Sequence, residues 1–202
     1  MKKIQIIDFG IDPTLAVGLT AISLVDRPAI ESMFIALGEA QLKTKHTVHV
    51  DFSTAKKQDK RRMLFGAVLI PDKLILRKNP TSGEEYYMRI NAETVQTLAH
   101  SYLRNFLQNS TKVDHSLSVK GCTLVETWLK EFDDDKSVGF GIDEPIGTWF
   151  IGMHVENDEV WKAVEAGTFK GFSVEVDLVV TNRSEESVDE QLLHELEAIL
   201  SE

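Results

Sequence analysis

The sequence predicts an α+β fold that is mainly β, a small barrel or sandwich with helices at its periphery. Three observations carry this. Short apolar runs with strand-like alternation outnumber runs with a helical period. Turn residues such as Pro71–Asp72 punctuate those runs. The chain has 202 residues and 43% hydrophobic content, enough for one sizeable core.

Taken in order, strands are predicted at 2–8, 17–25 ("VGLTAISLV") and 33–37, with Pro28 breaking any helix between the last two. Residues 41–62 then change character and read as an exposed basic excursion. From Lys43 to Arg62 seven bases face two acids, a net +5. Apolar strands resume over 63–76, around the Pro71–Asp72 turn, and "EEYYMRI" is a further strand. Asn91 caps a helix running to about Gln108, whose Val95, Leu98, Ala99, Tyr102 and Phe106 share one face. "TKVDHS" reads as a short strand ending at His115, and "CTLVETWLKEF" as a longer one. An acidic loop with Gly and Pro follows, then the strand "TWFIGMHVE". Asn157 and Gly167 bracket a short helix. A strand from Gly171 toward Val180 comes next. Ser187 and Glu190 form a capping box for an amphipathic helix with Val188, Leu192, Leu193, Leu196, Ile199 and Leu200 on its apolar face. Two units result: a domain over 1–180 and an acidic C-terminal helix over 181–202.

Composition narrows the function. The net charge is −10, and the last unit alone carries seven acids and one arginine, a net −6. Such acidity argues against nucleic acid as the main partner. The basic excursion lacks the interleaved aromatics that stack on bases. No apolar run is long enough to span a membrane, and the start does not read as a signal peptide. The single cysteine, Cys122, excludes an internal disulfide and fits a reducing compartment. No Cys/His spacing suits zinc, so neither metal nor cofactor is predicted.

The chemistry centres on "EAGTFKGFSVEVDLVV", residues 165–180. Strand alternation puts Ser173, Glu175 and Asp177 on one face, opposite Phe172, Val174 and Val176. A serine nucleophile needs a base within hydrogen-bond reach. His115, at the end of a strand on the face of Val113, is the candidate; the alternative is a surface histidine at a strand end. Gly171 beside Ser173 permits the close backbone approach that an oxyanion site or an extended substrate requires. Cys122 is better read as a small buried hydrophobe than as the nucleophile. The acids at 133–135 lack the spacing of a calcium loop and read as a solvated turn.

The stretches "ISLVDRPAIES" (22–32), "GAVLIPDKLILR" (66–77), "VDHS" (113–116), "LVETWLKE" (124–131) and "GTWFIGMHVENDEVWKAVEAGTFKGFSVE" (147–175) resemble the prohead maturation serine proteases of tailed phages, in their XkdF-like branch. The last run is the specific one. The resemblance implies a fold similar to the herpesvirus protease assemblin, a small β-barrel with peripheral helices. It implies Ser173 as nucleophile and His115 as base. It also implies scaffold and major capsid protein as substrates, cut inside the immature capsid in the host cytoplasm, with a homodimer as one arrangement. A third triad member does not carry over cleanly, since herpesvirus proteases use a second histidine. Glu126, in the resembling "VETW", ranks first and Asp177 second, while His194 lies in the C-terminal helix. Backbone N–H groups, with Arg183 as a candidate aid, would form the oxyanion site. Relatives carry other residues beside the histidine where this chain has Asp114 and Ser116. A catalytically silent capsid-assembly or scaffold-associated protein of the same fold, or an unrelated cytosolic hydrolase, are the competing readings.

Overall fold

The computed structural model describes residues 4–11, 19–37, 61–79 and 81–187, the last five by backbone alone. Most of the basic excursion and the expected C-terminal helix from Val188 onward lie outside the described residues. The fold is mainly β, as the alternation predicts. Twelve strands are described: β1 (Gln5–Gly10), β2 (Ala21–Val25), β3 (Ile35–Leu37), β4 (Met63–Leu69), β5 (Ile75–Lys78), β6 (Glu85–Ile90), β7 (Thr111–Val113), β8 (Leu117–Val119), β9 (Cys122–Leu129), β10 (Trp149–Val155), β11 (Gly171–Glu175) and β12 (Val179–Ser187). Three helices accompany them: α1 (Ala92–Arg104), α2 (Lys136–Gly139) and α3 (Asp158–Glu165).

The strands form three four-stranded sheets in the orders β12-β1-β6-β5, β3-β4-β10-β9 and β11-β2-β7-β8. Among the described residues these do not close into the single ring that a barrel requires. Among the described residues, every strand pairing lies within one of the three sheets and none joins one sheet to the next. The core lies between the sheets. β4 and β10 are its centre: both are almost wholly buried, which is why their sequences read as continuous apolar runs. Tyr102 of α1 meets Trp149 of β10 edge-on, with ring centroids 5.7 Å apart.

The helices follow their caps. The Asn91 side chain accepts from the Thr94 N–H at 2.9 Å, and the Asn157 side chain accepts from Glu159 and Val160. α1 stops at Arg104, short of the expected Gln108, because Phe106 turns into the left-handed region with φ 57°. In the acidic loop, Asp133 and Asp134 form the exposed turn expected of them, and Asp135 has a structural role. It caps α2 through the Ser137 N–H and accepts from the Trp128 indole at 3.0 Å.

Strand β11 is tightly lodged. A Cβ built on Gly171 would lie 2.6 Å from Pro28 Cγ and 3.0 Å from the Ser32 carbonyl oxygen. The close approach expected at Gly171 is therefore made by the chain's own 28–32 segment. Gly171→Ala is expected to lower stability by about 1–3 kcal/mol through overpacking, measured by urea unfolding. An unchanged midpoint would show that Pro28 yields without cost.

Candidate active site

Ser173 sits at the centre of β11. Across the antiparallel ladder it faces Ser23 of β2, and Ser23 is paired with Lys112 of β7 in the parallel direction. Directly paired residues share a face, so Ser173, Ser23 and Lys112 form a row across the sheet. Glu175, two positions after Ser173, lies on the same face. The residue before Ser173 turns inward: Phe172 is fully buried and its ring centroid lies 5.1 Å from that of Phe34. A cavity of about 230 Å³ adjoins β11, walled by Phe172, Val174 and Val176 with Ser173, Ile75 and Arg77.

The carboxylate of Glu175 organises this face. Its Oε1 accepts from the Ser23 hydroxyl at 2.9 Å and lies 3.3 Å from His115 Nδ1. Its Oε2 takes Lys112 Nζ at 2.5 Å. Two hydrogen-bond donors, from β2 and β7, thus hold one carboxylate, and the imidazole of the β7–β8 turn lies against it.

His115 reaches it from a turn, not from a strand. β7 ends at Val113, and the next two residues adopt positive φ, 46° at Asp114 and 58° at His115. The Ser116 N–H closes the turn on the Val113 carbonyl at 3.1 Å, and the Asp114 N–H ties it to the Leu24 carbonyl at 3.0 Å. Left-handed backbone costs a non-glycine residue on the order of 1–2 kcal/mol, aspartate less than histidine. The structure tolerates that strain where the imidazole meets Glu175, as functional turns commonly do. With Nδ1 on the carboxylate, Nε2 is the nitrogen left for a second partner. Among the described residues, no hydrogen bond joins it to Ser173 Oγ.

The other expected residues are placed elsewhere. Glu126 is on β9, in a different sheet from Ser173, and its carboxylate is held by Lys136, which also lies over the Trp128 ring. Asp177 is exposed, because β11 ends at Glu175 and the alternation does not extend to it. Arg183 contributes backbone to β12 opposite Ile7, and its side chain lies outside the described residues. Residues 179–187 pair with β1 as a strand, so the first seven residues of the unit expected to be a helix over 181–202 are instead strand, held by the edge that β1 offers. Cys122 is buried, and burial pushes its thiol up to about 11, which leaves almost no thiolate for attack.

Burial by itself would raise the pKa of Glu175. The hydrogen bonds from Lys112 and Ser23, with the charges of Lys112 and His115, outweigh it and hold the carboxyl below its ordinary 4.5. A folded value below the unfolded one means that Glu175 stabilises the fold above that ordinary value. The contribution is lost as pH falls through the lower folded value. The stability gap between wild type and Glu175→Gln is therefore expected to be widest near neutrality and to close on acidification. Unfolding titrations across the carboxylate range would show it, and a gap constant with pH would contradict the assignment.

The alternation on β11 put Glu175 on the face of Ser173, while the carboxylates ranked from the sequence were Glu126 and Asp177; it is Glu175 that lies against His115. Ser23 and Lys112 carried no local signal, because only the pairing of β11, β2 and β7 brings them to Glu175.

A serine on a strand, with an imidazole against the carboxylate two residues further along the same face, offers the kinds of side chain from which serine hydrolase sites are built. The chain belongs to the family described as Putative phage serine protease XkdF, whose model matches residues 49–180. That span includes Lys112, His115, Ser173 and Glu175, and leaves out Ser23. No curated protein and no solved structure matches the chain.

Proposed function

We propose that this protein is the serine endopeptidase of phage capsid maturation, with Ser173 as nucleophile, His115 as base and Glu175 as the group orienting the imidazole. One observation carries the reading: His115 Nδ1 rests on Glu175 on the sheet face that bears Ser173. In the first step, Ser173 Oγ bonds to the scissile carbonyl carbon while its proton passes to His115 Nε2. Glu175 stabilises the resulting imidazolium. The carbon–nitrogen bond then breaks as Nε2 returns that proton to the leaving amine, and water resolves the acyl-enzyme by the same route reversed. Backbone N–H groups near Ser173 would receive the oxyanion, with Arg183 as a candidate aid. The substrates are scaffold and major capsid protein, met inside the immature capsid in the host cytoplasm, with the protease there as a monomer or homodimer. Neither nucleic acid nor membrane takes part.

The unmade Ser173–His115 hydrogen bond is the observation favouring the alternative, a catalytically silent capsid-assembly or scaffold-associated protein. Catalytic contacts are commonly loose before substrate binds, however. An alkyl fluorophosphonate separates the two. Covalent labelling at Ser173, found by peptide mass spectrometry and lost in His115→Ala, is expected. Absence of labelling on folded protein would favour the silent reading.

A further inference from the structure

We propose that Lys112 is a positioning residue of this site, one that fixes the Glu175 carboxylate so that it can orient His115. The proposal rests on the triad reading above. A glutamate side chain has three rotatable bonds, and this one is not fully enclosed: Glu175 is 18% exposed. Unanchored, its carboxylate could swing to water and release the imidazole. Two groups prevent this from opposite ends. Ser23, itself fully buried, holds Oε1, the oxygen that faces His115. Lys112 holds Oε2, the oxygen that does not.

The sheet register makes the clamp rigid. Ser173, Ser23 and Lys112 are successive partners on β11, β2 and β7, so the Lys112 stem starts two strands from the nucleophile and crosses Ser23 to reach Glu175. The strand that sends out Lys112 also leads directly into the strained turn carrying His115. One short element thereby places both the imidazole and the cation that anchors the imidazole's partner. Lys112 is not itself a base for Ser173, because an ammonium paired with a carboxylate carries no lone pair to take the serine proton. It acts through Glu175, and that defines its signature.

The test is a double-mutant cycle on purified full-length chain, measuring kcat and KM on a peptide substrate together with the melting temperature. Lys112→Met is expected to lower kcat roughly 10–100-fold, the scale of a misplaced catalytic group, with KM changed little. Lys112→Arg, which keeps the cation, should restore kcat to within a few-fold. In the Glu175→Gln background, Lys112→Met should have almost no further effect on kcat, since the group through which it acts is gone. The double variant also removes both charges, so neither is left buried alone if Lys112→Met melts early. Wild-type kcat in Lys112→Met, or losses that multiply in the double variant, would overturn the role of Lys112 while Ser173 stays essential. Cleavage that survives Ser173→Ala would instead overturn the triad, and this proposal with it.

Discussion

Ser173→Ala is expected to abolish processing of co-expressed scaffold and capsid protein, with a fall in kcat on the order of 10⁶-fold against peptide substrate. Without Oγ there is no acyl-enzyme, and what remains is the contribution of substrate binding and the oxyanion site. The fold should be unaffected. Ser173 is only partly buried, and its hydroxyl makes no hydrogen bond among the described residues, so no buried partner is orphaned. Cys122→Ala is the counterpart. It empties a little volume in the core but leaves cleavage intact at temperatures where the protein stays folded. Gel analysis of the co-expressed capsid proteins and a melting curve for each variant settle both. If Cys122→Ala stops cleavage and Ser173→Ala does not, the nucleophile is misassigned.

His115→Gly is expected to separate activity from stability. Activity should fall by a factor comparable to that of Ser173→Ala, because nucleophile and base act as a unit and their losses do not add. Stability should hold or rise. Glycine occupies the left-handed region without the Cβ penalty that histidine bears at φ 58°. The relief, up to about 1–2 kcal/mol, is offset by the lost contact with Glu175 and by the greater freedom of glycine in the unfolded chain. Exogenous imidazole could partly restore cleavage by occupying the vacated space. A marked loss of stability with activity retained would show that His115 is a structural residue of the turn.

Much of the architecture was legible because it is written in local periodicity. The unbroken apolar runs of β4 and β10 announced the buried centre, and Asn91 and Asn157 announced α1 and α3 through caps that need only neighbouring N–H groups. β12 was not legible: "TNRSEES" has no apolar alternation, and it is a strand only because β1 offers it an edge. The reach of β11 was overestimated for the same reason. Its apolar pattern continues to Val176, but its pairing with β2 ends at Glu175.

The site divides along the same line. The sequence by itself determined which chemistry was available: one serine on an alternating strand with an acid two residues on, and a histidine after a short apolar run. Both follow from side-chain identity and the two-residue period of a strand. Tertiary structure alone decided which carboxylate serves the histidine. Glu126 and Glu175 are the same letter, but β9, in another sheet, hands Glu126 to Lys136 of α2, while the turn after β7 brings His115 onto Glu175. A two-residue backbone strain at 114–115 and the register of three strands make that choice, and neither is encoded in any one stretch of the chain, because strand pairing joins residues that lie far apart in sequence.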